Sequence, residues 1–557
     1  MKFLDKDTKS IIGFDYVLEN IEVVTPFGKE YKGKLKPFMP GEEKLLKNEF
    51  ERIEKILRLI DEDKLTFLKL NTLFTDIKDL RKSLKRTVNG DTLTVVELFE
   101  IKTFILLLRK INEKITSLNW EVPKRLKVEP INELEKLFDP KNRGIKTFYI
   151  YDEYSKTLKE IRDDKRKLSK DIKRENKKIK EKIRKDLKLN VKPNGEVIIP
   201  KDEKNFIEMV DNYSLLQYSS ETYMNKKYII KPTELIRILT KQLEKLKEME
   251  EEEEYKVRTS LSKKIASFNE SILKNMKAIG NLDLTIAKAY LALDIDGIKP
   301  DIISDKKLKI KEGRHIEVED ALKESGRDFV AIDLDLENGV TCITGANMGG
   351  KTVSLKLVAL NASMAQYGLY VPCKYMSTGL FDFLSVSIGD YQSTDMGLST
   401  FGGEIKKVQR AMKRSDEYGL ILIDELANGT NPQEGSAISM AIVNFLKKKP
   451  SMSVITTHYD NVSTIPGIKH LQVIGLENVD YESLEEKLKK ESDYGMEMIA
   501  KYMDYRLKEV HNLGQVPRDA INIAKLMGLD EEILEDAEKM LESFFINELS
   551  LAGSENQ

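Results

Sequence analysis

The sequence holds only two cysteines, Cys342 and Cys373, among 557 residues. That excludes a disulfide scaffold and any zinc finger built on cysteine. Long apolar runs are missing as well: stretches such as Phe104 to Leu108 fall far short of the roughly 18 residues a membrane span needs. The opening Met1-Lys2-Phe3-Leu4-Asp5-Lys6-Asp7 lacks the apolar core of a signal peptide. Neither sign of charge is in excess. Lys+Arg 92 against Asp+Glu 93 leaves a formal net charge of −1, so affinity for nucleic acid has to come from local patches. What is present is a 33% charged fraction beside 41% hydrophobic residues, enough apolar material for cores in more than one domain. These features predict a soluble, cytoplasmic, multidomain protein with no membrane association.

Two styles of sequence alternate along the chain. Up to about Lys299 the pattern is charged and helical, with few Gly or Pro. Leu45, Leu46, Phe50, Ile53, Ile56, Leu57 and Ile60 mark one face of a helix over Glu43 to Asp61. Asp152 to Asn190 carries 16 Lys/Arg against 9 Asp/Glu, a net +7. Within Val191 to Pro232, short apolar runs (Val197 to Ile199, Tyr228 to Ile230) lie between Pro, Gly, Asn and Ser and read as strands and loops. Helix resumes from Thr233 to about Ala292 and includes the run Glu250 to Glu254. The simplest arrangement is two long helices running out to a small distal lobe and back. From about Lys309, β-branched runs alternate with helices, as in an α/β sheet. Val340 to Thr344, Leu420 to Ile423, Ser453 to Thr456 and Leu471 to Ile474 are the clearest strands. After about Glu485 the sequence returns to helix, with a pair over Pro517 to Met527 and Asp530 to about Phe545.

The chemistry concentrates in the α/β part. Gly345-Ala346-Asn347-Met348-Gly349-Gly350-Lys351-Thr352 matches G-x-x-x-x-G-K-[ST] at every fixed position, after a strand and opening a helix. Glycines there let backbone N–H groups encircle phosphate oxygens, and the helix N-terminus adds partial positive charge. Lys351 would reach the β- and γ-phosphates, and the Thr352 hydroxyl would ligate Mg²⁺; the nucleotide-binding stretch runs through Val353. Leu420 to Ile423 is an apolar strand ending in Asp424, suited to the Mg²⁺ shell, and Glu425, placed to polarise a water. Ser399-Thr400-Phe401-Gly402-Gly403-Glu404 heads a helix read over Ile405 to Met412, with Ser399 as a candidate γ-phosphate contact and Gln392 upstream as a candidate sensor of Mg²⁺ and water. Thr456-Thr457-His458 ends the next strand, and His458 is a candidate γ-phosphate sensor.

Taken in order, Thr344 to Thr352, Leu398-Ser399-Thr400-Phe401, Asp424-Glu425-Leu426 with Gly429-Thr430, and Thr457-His458-Tyr459 resemble the MutS family of ABC-class ATPases. Gly368-Leu369-Tyr370-Val371-Pro372, and Gly514-Gln515-Val516-Pro517 leading into Ala520 to Ala524, add to the resemblance. It is strong over about Lys309 to Glu542 and looser before that, where it rests on the order of elements. Pro432-Gln433-Glu434-Gly435 resembles the shorter branch of the family. The implied fold class is multidomain α and α/β: a long helical core and lever with a clamp-like distal lobe, then an ABC-class P-loop ATPase domain with a C-terminal helical pair. The corresponding segments are 1–150 for the core, 151–300 for the levers with the insertion at about 191–232, 301–490 for the ATPase domain, and 491–557 for a dimerisation segment.

The resemblance further implies ATP with Mg²⁺ and a homodimer in which Ser399 of one subunit completes the other's site. It also implies an aromatic on the adenine, for which Phe329 is the best match. Neither the mismatch-reading domain nor the Smr nuclease domain of the family is matched by any segment. The expected activity is ATP hydrolysis coupled to clamping mismatched, branched or recombination-intermediate duplex DNA, as in DNA mismatch repair. The distal lobe weighs against it: six lysines over Val191 to Pro232 are matched by six acids, and DNA affinity is built largely from phosphate contacts. The alternative is an ATP-driven remodeller of a protein client, for example a reactivating accessory ATPase for a cobalamin-dependent amino-acid mutase, with Tyr213, Tyr218, Tyr223 and Tyr228 serving the contact.

Overall fold

The computed structural model describes residues 3–140, 144–345, 350–388, 400–427, 430–477, 479, 484, 501–510 and 519–540. The chain is mixed α and β and forms two compact units, Leu70–Ile279 and a second made of Met1–Lys69 with Gly280–Gln557.

In the unit Leu70–Ile279, helix Val95–Ser117 starts at a capping box: the Thr94 hydroxyl accepts from Glu97 N, and the Glu97 carboxylate accepts from Thr94 N. Its buried Leu98, Ile101, Ile105, Leu108, Ile111 and Ile115 recur at three- and four-residue steps, which draws that face into the core. Two longer helices, Lys156–Leu187 and Glu234–Ser267, have 32 and 34 residues, so each extends about 50 Å. They lie side by side. The Arg162 guanidinium meets Asp152, Glu250 and Glu254 at 2.5, 2.9 and 2.6 Å, and Lys165 pairs with Glu250. The run of glutamates therefore offsets two cations of the basic helix, Arg162 and Lys165.

Between these helices comes a small lobe of three strands, β1 (Glu196–Pro200), β2 (Leu216–Glu221) and β3 (Asn225–Ile230), with helix Lys204–Asp211. The order is β1-β3-β2 and both pairings are antiparallel. Val197, Ile199, Val210, Leu216 and Tyr228 close its core against Ile179, Ile183 and Leu187. The Tyr228 hydroxyl donates to Asp211 Oδ1 at 2.7 Å. The apolar runs at 197–199 and 228–230 become β1 and β3. Strand β2 left no apolar alternation to read, because only Leu216 of its six residues is buried.

The second unit carries two sheets. One has the order β4-β8-β5-β6, from Asp301–Ile302, Tyr375–Thr378, Lys307–Gly313 and Ile332–Glu337. The other has six strands in the order β13-β12-β7-β11-β10-β9, from Asp504–Glu509, Lys469–Gly475, Gly339–Thr344, Met452–Thr456, Gly419–Ile423 and Phe383–Ser387. Its strands pair in parallel except the β12/β13 edge, which is antiparallel. Strands β7, β10 and β11 are buried at every residue, as expected when both faces of a parallel sheet are covered. The helix Lys351–Gln366 is buried nearly all round and packs into the same core as Ile343, Leu420 and Val454. The segment after Glu485, read from sequence as helix, instead contains strand β13, whose alternation of Tyr505 and Leu507 with charged residues completes the sheet edge. Helix follows at Asp519–Leu526 and 531–540, with Gly528 between them at φ 83°.

Buried polar contacts pin the N-terminal residues onto this unit. Lys288 Nζ meets Glu49 Oε1 at 2.9 Å with the lysine side chain 2% exposed. His315, fully buried, caps the helix Ile316–Glu324 through Nδ1, and its Nε2–H donates to the Ile12 carbonyl at 3.2 Å. Burial, with Lys356 nearby, lowers this imidazole to about 4. Between that value and the ordinary 6.5 the unfolded chain binds a proton that the folded chain refuses. His315 therefore stabilises fully above pH 6.5, and its contribution drains away as pH falls towards 4, by about 3 kcal/mol in all. Melting wild type and His315→Asn across that range should show a steep acid slope in the former and a shallower one in the latter.

Candidate nucleotide site

Three neighbouring parallel strands, β7, β11 and β10, deliver the site at their carboxyl ends, where open α/β sheets place ligands. Strand β7 runs into Gly345, at φ 136°, and a Cβ there would lie 2.9 Å from the Val473 side chain. Ala346 to Gly349 lie outside the described residues. The backbone resumes at Gly350, at φ 77°, which caps the helix Lys351–Gln366. A Cβ on Gly350 would come within 3.0 Å of the Tyr505 ring. Both glycines therefore answer a left-handed backbone and a close neighbour together.

Lys351 is almost fully buried, and its Nζ donates to the Gly345 carbonyl at 2.7 Å. Burial lowers this ammonium below the ordinary lysine range, and Glu425 and Asp424 oppose the shift. The register of β10 on β11 pairs Ile423 with Ile455, which sets Asp424 beside Thr456. The Thr456 hydroxyl donates to Asp424 Oδ1 at 2.6 Å and accepts from Glu425 N at 2.8 Å. The Thr352 hydroxyl donates to the other carboxylate oxygen, Asp424 Oδ2, at 2.6 Å. His458 bridges the remaining groups: Nε2 is 2.7 Å from Glu425 Oε1 and 3.3 Å from Lys351 Nζ. Glu425 itself sits at φ 48°, a left-handed conformation uncommon outside glycine.

The structure thus brings together Gly345, Gly350, Lys351, Thr352, Asp424, Glu425 and His458. Val353 follows on the first turn of the helix, half-buried. Phe329 is half-buried and packs on the core that includes Ile343 and Leu355. Gln392 and Ser399 lie outside the described residues, and the helix read from Ile405 begins earlier, at Thr400. Two residues were missed. Tyr505 covers Gly350, and the alternating pattern of β13 could have located it. Thr344 Oγ1 contacts His470 Nε2 at 2.8 Å, tying the foot of the phosphate loop to β12.

The pair Thr352–Asp424 offers hard oxygen donors, the set Mg²⁺ prefers when phosphates supply the rest. Lys351 offers a cation next to it, and Glu425 with His458 offers an acid–base pair.

Comparison with known proteins agrees with this geometry. Residues 341–545 match the family model MutS domain V. That segment of the chain is similar to the MutS family. Similar proteins include the Endonuclease MutS2 of Halothermothrix orenii, 26% identical over 97% of this chain and 65% of that protein. Those of Caldanaerobacter subterraneus subsp. tengcongensis and Caldicellulosiruptor bescii are 28% and 30% identical, over 89% and 80% of this chain and 60% and 55% of those proteins. The chain therefore spans about two thirds or less of the length of these relatives.

Thr456→Val keeps the shape of the side chain but removes the hydroxyl that serves two half-buried partners, Asp424 and the Glu425 amide. We expect a loss of about 1–3 kcal/mol, with Thr456→Ser close to wild type, in denaturant unfolding.

Proposed function

We propose that this chain is a MutS-family, Mg²⁺-dependent ATPase that works as a homodimer and couples its nucleotide state to holding duplex DNA. The observation that carries the reading is the convergence of Lys351, His458 and Glu425 within 3.3 Å contacts beside the 2.6 Å Thr352–Asp424 pair. In this reading the phosphate loop and Lys351 hold the β- and γ-phosphates, and Phe329 packs on the adenine. Thr352 and Asp424 would hold Mg²⁺, which when bound offsets phosphate charge. Glu425 accepts a hydrogen bond from the attacking water and takes its proton as the water oxygen bonds to the γ-phosphorus and the bond to the leaving oxygen breaks. His458, tied to both Glu425 and Lys351, keeps that carboxylate facing the γ-phosphate. Gln392 assists at the Mg²⁺ and water, and Ser399 acts on the partner subunit's nucleotide.

Glu425→Gln should bind ATP with near wild-type affinity while phosphate release falls by about 10²–10⁴, the range of a general base. Lys351→Ala should instead lose nucleotide binding itself. Phosphate release together with equilibrium binding separates the two; unchanged turnover in Glu425→Gln removes that residue from its role.

For DNA, the support lies in helix Lys156–Leu187 beyond Lys165. Lys170, Lys173, Lys182, Arg184 and Lys185 form no ion pair among the described residues, unlike Arg162 and Lys165. Such cations suit a phosphate backbone, and the long helices would serve as levers for the lobe built on β1 to β3. The relatives' names speak of an endonuclease; no strand cleavage is assigned to this chain. Lys170→Gln/Lys173→Gln/Lys185→Gln should weaken duplex binding and reduce the slope of log K against log salt by about 0.9 for each phosphate no longer neutralised. Identical slopes in wild type and variant would remove this helix from the DNA interface.

A further inference from the structure

The turn that follows Glu425 is held from four directions. Its first amide bonds to the Thr456 hydroxyl, and Leu426 N donates to the Thr456 carbonyl at 3.4 Å. The Leu426 carbonyl accepts from Ser439 Oγ at 3.0 Å. At Ala427, fully buried, the N–H donates to Glu404 Oε1 at 2.9 Å and the carbonyl accepts from the Tyr459 hydroxyl at 3.0 Å. Ala427 stands at φ 62°, a second left-handed residue two places after Glu425 and disfavoured for any side chain with a Cβ. Such strain persists only where the surroundings over-determine it, and here they do. Gly435 completes the arrangement: a Cβ on it would lie 2.3 Å from Tyr459 Oη and 2.8 Å from the Ala427 carbonyl.

Glu404 is the anomalous member. It lies on helix Thr400–Met412, is 8% exposed, and among the described residues pairs with no cation. A carboxylate buried without a counter-charge is costly, and a packed apolar side chain would serve stability better. Burial raises its pKa, with the Ala427 N–H pulling the other way. What Glu404 alone supplies is an acceptor for the amide of a strained residue. From this we infer that Glu404 is a positioning residue for the ATPase reaction, fixing Ala427 in its left-handed conformation and thereby the aim of the Glu425 carboxylate, with Tyr459 holding the opposite side of the same residue. This rests on the ATPase reading above.

The test is steady-state phosphate release from Mg²⁺-ATP by the full chain, with nucleotide binding measured in parallel. Glu404→Ala should lower kcat at least tenfold with KM for ATP within twofold of wild type. Glu404→Gln, whose amide oxygen accepts the same N–H, should recover to within threefold. Tyr459→Phe should also lower kcat at constant KM, and adding it to Glu404→Ala should cost less than the product of the two single effects, because both act on one residue. If Glu404→Ala does not fold, the KM-against-kcat split of Tyr459→Phe decides. Unchanged kcat in a folded Glu404→Ala, a matching fall in affinity, or full additivity would overturn the inference while leaving the ATPase intact. A wild type that binds no nucleotide would overturn both together.

Discussion

Two adjacent parallel strands must end in register for this site to exist. Because Ile423 of β10 faces Ile455 of β11, one threonine hydroxyl, that of Thr456, can grip Asp424 and the amide of Glu425 at once. The grip leaves Asp424 a free edge for Thr352 and turns the chain sharply, so that Glu425 departs with a left-handed backbone towards His458. A shift of one residue in that register would send these side chains to the other face of the sheet. The fully buried, β-branched interior of β7, β10 and β11 is what forbids the shift.

The rest of the unit supports this junction. The helix after the phosphate loop is buried on nearly all sides and so fixes Lys351 at the mouth of the sheet. Its charge is expensive at that depth, and the two carboxylates across from it make the expense tolerable. The same low-dielectric setting that lowers the lysine strengthens its attraction for phosphate oxygens. The cluster is an electrostatic arrangement set by the fold, and under the proposed ATPase reading such preorganisation lowers the barrier to phosphoryl transfer.

Much of this was legible in the sequence, and for a physical reason. Buried parallel strands must be continuous apolar runs, and phosphate loops must be glycine-rich, so Val340 to Thr344, Gly345 to Thr352 and Leu420 to Glu425 declare themselves locally. Elements whose role depends on distant partners did not. Strand β13 holds charged residues at alternate positions and gains its identity from pairing with β12. Strand β2 exposes all but one side chain. Glu404 stands in sequence only as part of the segment that heads a helix; the fold shows it buried against Ala427. The basic helix read as one net-positive block, whereas in the structure Arg162 and Lys165 pair with Glu250 and Glu254, and Lys170, Lys173, Lys182, Arg184 and Lys185 form no ion pair among the described residues.

The central claim is that the junction of Lys351, Thr352, Asp424, Glu425 and His458 hydrolyses ATP. The most direct measurement is phosphate release by the wild-type chain with ATP across a Mg²⁺ titration, with nucleotide binding followed in the same samples. The account predicts saturable ATP binding and turnover that appears only as Mg²⁺ is added. Nucleotide bound without phosphate release at any Mg²⁺ concentration, or no nucleotide bound at all, would contradict it.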